Sequence, residues 1–173
     1  MIESDILTLG ETWLQGQSEV SFNGFEGHFA SFGRGKGIAV FSRHQLYYGP
    51  SKSSSECHSV IKVVLSDIEL IFVYVSQNCD RKALLSQLFD YMDLANPTVV
   101  MGDFNEKYCE SSYLSKSFKR RGFSQLISSP THDKGNLIDH MYVNNLVLER
   151  GHFVEKSAAY YSDHDILTLY IKK

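Results

Sequence analysis

Seven polar side chains stand where short apolar runs end: Glu11, Tyr74, Asp103, Asn105, Asp139, Asp163 and His164. Carboxylate, amide and phenol oxygens are ligands for a hard cation, and an amide or an imidazole can donate to phosphate oxygens. No cysteine or second histidine shares this spacing, so a zinc site is not expected. The densest group is Val99 to Asn105, reading Val-Val-Met-Gly-Asp-Phe-Asn. In an extended chain alternate residues share a face, so Asp103 and Asn105 are expected together with Phe104 turned inward. From that stretch alone a turn, with Asp and Asn bonding their own backbone, is an equal reading. Asp163 and His164 are neighbours and face opposite ways when extended. A catalytic His164 therefore needs another carboxylate to orient it, and Asp139 is the natural candidate.

These residues need elements to hold them. Asp5 to Leu9 reads as a short strand that delivers Glu11, whose plain alternative is a solvated loop acid. Asn23-Gly24 between aromatic flanks predicts a turn. His28 to Phe32 and Ile38 to Phe41 predict two strands joined by a tight hairpin at Gly33-Arg34-Gly35-Lys36-Gly37, and Ser51 to Ser55 a polar loop. His58 to Leu65 and Ile68 to Val75 predict a hairpin about Ser66-Asp67, with Tyr74 near its end; a core tyrosine with a satisfied hydroxyl is the default there.

Leu84, Leu88 and Met92 recur every four residues, predicting a helix over 80–95 with Asp80 as its cap and Pro97 as its stop. Val99 begins a buried strand that breaks at Gly102. Tyr113 to Arg121 is weakly helical, with Leu114 and Phe118 inward. Its Lys116, Lys119, Arg120 and Arg121 form the one basic cluster, commonly a solvated helix end and less commonly a polyanion contact. Further strands are expected at Phe123–Ile127, Leu137–Val143, Leu146–Glu149, Phe153–Glu155 and Ile166–Ile171, with a turn-rich loop at Pro130–Gly135. Asp139, mid-strand, is costly to bury without a cation or a donor.

The chain has 173 residues and a formal charge of −3, which fits one domain and argues against a broadly basic nucleic-acid coat. Any polyanion bound here needs a local patch or a bridging cation. Three cysteines, Cys57, Cys79 and Cys109, suit free thiols in an intracellular (nuclear or cytoplasmic) setting better than a disulfide framework. No apolar run approaches membrane-spanning length.

With these motifs in order, the chain resembles the endonuclease/exonuclease/phosphatase family. Gly-Glu11-Thr-Trp-Leu looks like its metal-binding segment, Val73-Tyr74-Val75 its tyrosine strand, Gly102-Asp103-Phe104-Asn105 its aspartate–asparagine motif and Ser162-Asp163-His164 its terminal one. Pro130-Thr131-His132 followed by Leu137-Ile138-Asp139 resembles the branch found in LINE-type retrotransposons and Helitron-like elements. The resemblance implies one α/β domain over 1–173, a two-sheet αββα sandwich shortened at its N-terminal end. It implies phosphodiester hydrolysis with Mg2+ or Mn2+ held by Glu11 and Asp163. Asp103, Asn105, Tyr74, Asp139 and His164 are its implied catalytic residues, and Thr131, Lys119, Arg120 and Arg121 are expected to touch substrate.

The implied partner is DNA, with RNA as the second option, bound by a monomer or by part of a larger mobile-element polyprotein. The alternatives are a phosphatase of lipid or inositol phosphates and an inactive nucleic-acid-binding remnant. Family members begin with a strand ending in asparagine ahead of the glutamate. Here Asn23 and Asn78 fall elsewhere, so this form is expected to be less stable and less active than one carrying that strand.

Overall fold

Dense runs of Val, Ile and Leu drive two long strands, β5 (His58–Leu65) and β6 (Ile68–Val75), buried on both faces, into the expected hairpin at the heart of the molecule. The computed structural model describes residues 5–13, 20, 22–44, 51–54, 56–65 and 67–172, so Ser66 and Leu14 lie outside the described residues. The other strands are β1 (Ile6–Leu9), β2 (Glu26–Ser31), β3 (Gly37–Ser42), β4 (Ser51–Ser54), β7 (Thr98–Asp103), β8 (Phe123–Gln125), β9 (Asp139–Asn144), β10 (His152–Ser157) and β11 (Ile166–Ile171). The helices are α1 (Arg81–Tyr91), α2 (Tyr113–Arg120) and α3 (Asn145–Glu149). No helix among the described residues is long and apolar enough to cross a membrane.

A six-stranded sheet runs β4-β5-β6-β7-β9-β8, with only the β6–β7 pair parallel. One face carries Ile71, Val73, Val100 and Tyr142, packed under Leu84 and Leu88 of α1 and Leu114 and Phe118 of α2. Two smaller sheets, β1-β3-β2 and β10-β11, cover the other face. Ile38 and Val40 of the first meet Ile61, Val63 and Phe72. Leu167 and Leu169 of the second meet Met141 and Val143. Helices, the six-stranded sheet and the pair of smaller sheets thus stack as an α/β sandwich.

Several expectations are corrected. Ser51–Ser54 is a strand, because its backbone completes the free edge of β5 whatever its composition. The first helix stops at Tyr91 rather than near Pro97. Met92 turns extended, and the Asp93 amide donates to Glu69 on β6. Leu146–Glu149 lies in α3 because the Asn144 side chain caps it, accepting from the Val147 amide. Asp139 opens its strand rather than sitting in the middle. Cys57 and Cys79 are joined as a disulfide tying β5 to the approach of α1, leaving Cys109 as the free thiol. Their 22-residue separation hid the contact, which the β5–β6 hairpin creates.

Gly102 does not break β7; it lies inside the strand at φ +145. A Cβ placed there would stand 1.9 Å from the Val73 carbonyl oxygen of the paired strand. Gly102→Ala combines that clash with a backbone region costly for alanine. We expect it to destabilise the protein by more than about 3 kcal/mol, read as a large drop in urea midpoint. A midpoint within error of wild type would show that β6 and β7 separate easily.

Candidate active site

Strand pairing places three of the expected residues in one row. Tyr74 of β6 is the register partner of Asp103 of β7, and Asp103 is the partner of Asp139 of β9. Alternation turns all three toward the smaller sheets, while Val73, Val100, Phe104 and Tyr142 face the helices. His140, next to Asp139, takes the helix side. It stacks on Phe104, bonds the Glu106 carbonyl through Nε2, and burial lowers it to about 4. It is a neutral strut behind the site.

Two carboxylates opposed in register repel. Burial, and then the charge of Asp139, push Asp103 up to about 7. His164 supplies part of the relief: its Nδ1 lies 2.9 Å from Asp139 Oδ2, within hydrogen-bond reach. That bond raises His164 to about 9. The orienting contact expected for His164 is therefore present.

Both shifts have one sign for stability. Between the ordinary carboxylate value and about 7, native Asp103 holds a proton that the unfolded chain has released. Across 6.5 to 9, native His164 does the same. Stability contributed by His164 is complete below 6.5 and is lost as pH rises through 9. The metal-free protein is expected to melt progressively lower from pH 6.5 to 9. His164→Gln should flatten that slope, as thermal melts at fixed ionic strength would show; an unchanged slope would separate His164 from this effect.

The neighbouring residues hold this row in place. Asn105 adopts φ 47, and its backbone amide and side-chain Nδ2 both donate to the Asp103 carboxylate, at 2.7 and 3.0 Å. Nδ2 also donates to the Val75 carbonyl at 2.9 Å. A left-handed turn, not strand alternation, brings Asp103 and Asn105 together. The amide expected to face phosphate acts in this arrangement as a clamp on Asp103.

Glu11 is the other described non-glycine residue at positive φ, at 49. It accepts a 3.0 Å hydrogen bond from the Tyr74 hydroxyl. Tyr74 is buried among Ile38, Val40 and Phe72, and desolvation by burial keeps its phenol protonated far above the ordinary range. The two strained non-glycine backbones thus both belong to the site, a pattern typical of functional positions.

Two sets of expected contacts are corrected. Thr131 is fully buried, and its Oγ1 accepts from the amides of Ile138 and Asp139. It sets the start of β9 and has no surface for substrate. Lys119, Arg120 and Arg121 lie at the wrong end of the sheet. The strand following them begins opposite Asn144, the last residue of β9, whereas Asp139 is its first. A strand length of roughly 16 Å separates them, and Arg121 is seated on the Phe89 ring.

His132 is the residue the sequence did not single out. Its backbone bridges His164, and Asp133 and Thr131 on either side bond to Asp163 and Asp165. Its Nδ1 accepts from the Lys134 amide, so the ring proton sits on Nε2, 3.4 Å from Asp163 Oδ2. His132 thus holds the terminal aspartate as Asp139 holds the histidine. Its place in the Pro-Thr-His run ahead of Asp139 was the available signal.

Glu11, Asp103, Asp139 and His164 line one cleft of about 1600 Å3 between the smaller sheets. Asp103, Asp139 and His164 are close enough to share one ion, as are His132, Asp163 and His164; Glu11 belongs to neither trio. Asp103 and Asp139 share a single basic partner, His164, and the oxygen donors left over suit a hard divalent ion.

A family model described as Endonuclease/Exonuclease/phosphatase family matches residues 1–164. Among solved structures, the endonuclease domain of TRAS1, a telomere-specific non-LTR retrotransposon, superposes with a TM-score of 0.72 at 18% identity, covering 98% of this chain and 86% of that one. The 3' phosphatase NExo from Neisseria, bound to a product DNA hairpin, gives 0.77 at 17% identity over 98% and 89%. An AP endonuclease from Archaeoglobus fulgidus gives 0.67 at 18% over 96% and 88%. No curated protein matches the chain. At such identities the superpositions establish the fold.

Proposed function

Because the chain belongs to the endonuclease/exonuclease/phosphatase family, whose members are hydrolytic nucleases and phosphatases, we propose that it is a Mg2+- or Mn2+-dependent DNA-nicking endonuclease of the mobile-element kind. The observation that carries this reading is the in-register Asp103–Asp139 pair, with His164 bound to Asp139, at the base of an open cleft. Glu11 and Asp163 would hold the divalent ion, which when bound neutralises charge on the phosphate.

The chain's own groups do the rest. Asp103, raised toward neutrality and clamped by Asn105, is suited to orient the attacking water and take its proton. His164, held at Nδ1, has Nε2 left to donate to a phosphoryl oxygen as charge develops there. Tyr74 fixes the Glu11 carboxylate, and His132 fixes Asp163.

The experiment is supercoiled-plasmid nicking in Mg2+ and Mn2+, run beside hydrolysis of a phosphomonoester. Nicking without monoester hydrolysis supports the reading. Monoester hydrolysis alone would make the protein a phosphatase. Plasmid binding with neither reaction would make it an inactive nucleic-acid-binding remnant.

A further inference from the structure

The rim of the cleft carries aromatic rings that the reaction does not use. Trp13, two residues after Glu11, is 67% exposed, and Tyr160 and Tyr161, just ahead of Ser162-Asp163-His164, are 102% and 82% exposed. Single exposed aromatics are ordinary, but two of these, Trp13 and Tyr161, line the same reactive cleft. Trp13 is held where it stands. The indole lies against the tip of the β2–β3 hairpin, where a Cβ on Gly35 would already approach it to 3.2 Å. The Arg34 guanidinium lies 5.2 Å from its centroid, in cation–π range.

Trp13 and Tyr161 both line the cleft that contains Asp103, Asp139 and His164. Trp13 follows β1 of the three-stranded sheet and Tyr161 precedes β11 of the two-stranded one, so the rings belong to opposite walls. We propose that Trp13 and Tyr161 stack on bases either side of the phosphodiester being cut, so that the strand taken is unpaired or locally opened nucleic acid. This rests on reading the site as a phosphodiesterase. Bases present flat π-faces within one nucleotide of that phosphate, and aromatic platforms bind them without regard to sequence. A folded protein partner would need on the order of 1000 Å2 of complementary surface, which a few separated rings do not provide. The guanidinium beside Trp13 adds a positive charge suited to a phosphate backbone.

Trp13 is the only tryptophan, so its fluorescence reports on this position alone. The full chain, in chelator to prevent cleavage, is titrated with a single-stranded oligonucleotide, its duplex, and an abasic oligonucleotide of equal length. Quenching by the single strand, weaker quenching by the duplex and none by the abasic strand are expected. By anisotropy of a labelled strand, Trp13→Ala and Tyr161→Ala should each weaken binding roughly tenfold, and Trp13→Phe should recover part of the loss. Equal response to the abasic strand would mean that only the sugar-phosphate is bound, and would overturn the proposal. So would unchanged fluorescence at saturation, or alanine variants that bind as wild type. Base-dependent quenching without nicking in Mg2+ would leave the stacking site standing and remove the catalytic reading; nicking without quenching would do the reverse.

Discussion

Replacing His164 with alanine is expected to slow phosphodiester cleavage by about 10^2- to 10^4-fold, and removing Asp139 as well is expected to cost little more. The 2.9 Å contact makes the pair one device: Asp139 fixes the ring, and the ring answers the charge of Asp139. Losses within such a unit do not add. Asp139→Ala alone has a second effect, because it removes the carboxylate that opposes Asp103. Asp103 then falls toward the ordinary carboxylate range, and the acid limb of the pH–rate profile should move to lower pH. Measuring kcat/KM for the wild type, both single variants and the double variant decides the matter. Fully multiplicative losses would show that the two side chains work separately.

Activity should also disappear with the divalent ion, and Glu11→Gln should reproduce most of that loss. A ligand worth several kcal/mol at the transition state corresponds to roughly 10^3-fold in rate. Tyr74→Phe offers a graded comparison, since the phenol reaches Glu11 and not the cleft floor. It should raise the Mg2+ concentration for half-maximal rate by about tenfold, as loss of a ligand's hydrogen-bond partner does, while leaving the rate at saturating metal nearly intact. Full activity in excess chelator, or undiminished cleavage by Glu11→Gln, would refute the mechanism.

What could be read from the sequence follows the range of the forces involved. The β5–β6 hairpin was legible because two runs rich in Val, Ile and Leu around Ser66-Asp67 are a local signal, and the Asp80 cap because it bonds amides two and three residues away. The end of α1 was not, since Glu69 on a distant strand draws the chain out there. Leu-Val-Leu after Asn145 has a strand's composition, and only the Asn144 cap turns it into helix.

At the site, Asp103, Asp139 and His164 stood out as polar groups that apolar runs would not carry without use. Their supports were hidden. Thr131 and Asn105 are spent on backbone groups whose positions depend on pairing elsewhere. The Lys119–Arg121 charges looked available because sequence does not say at which end of a sheet a helix finishes.

The row Tyr74–Asp103–Asp139 has an implication for how such a protein can change. Its alignment is the same register that buries Val73, Val100 and Tyr142 beneath the helices. Slipping β7 by one residue would exchange its two faces, sending the acid into the apolar layer and a valine into the cleft. Mutational drift therefore has no path along which this chain keeps its fold while its acids wander out of line. Selection for a protein that merely survives in the cell preserves the spacing of the acids as a by-product. The side chains at Trp13 and Tyr161 stand outside that register, and they are where lineages of this scaffold are free to diverge in what they grip.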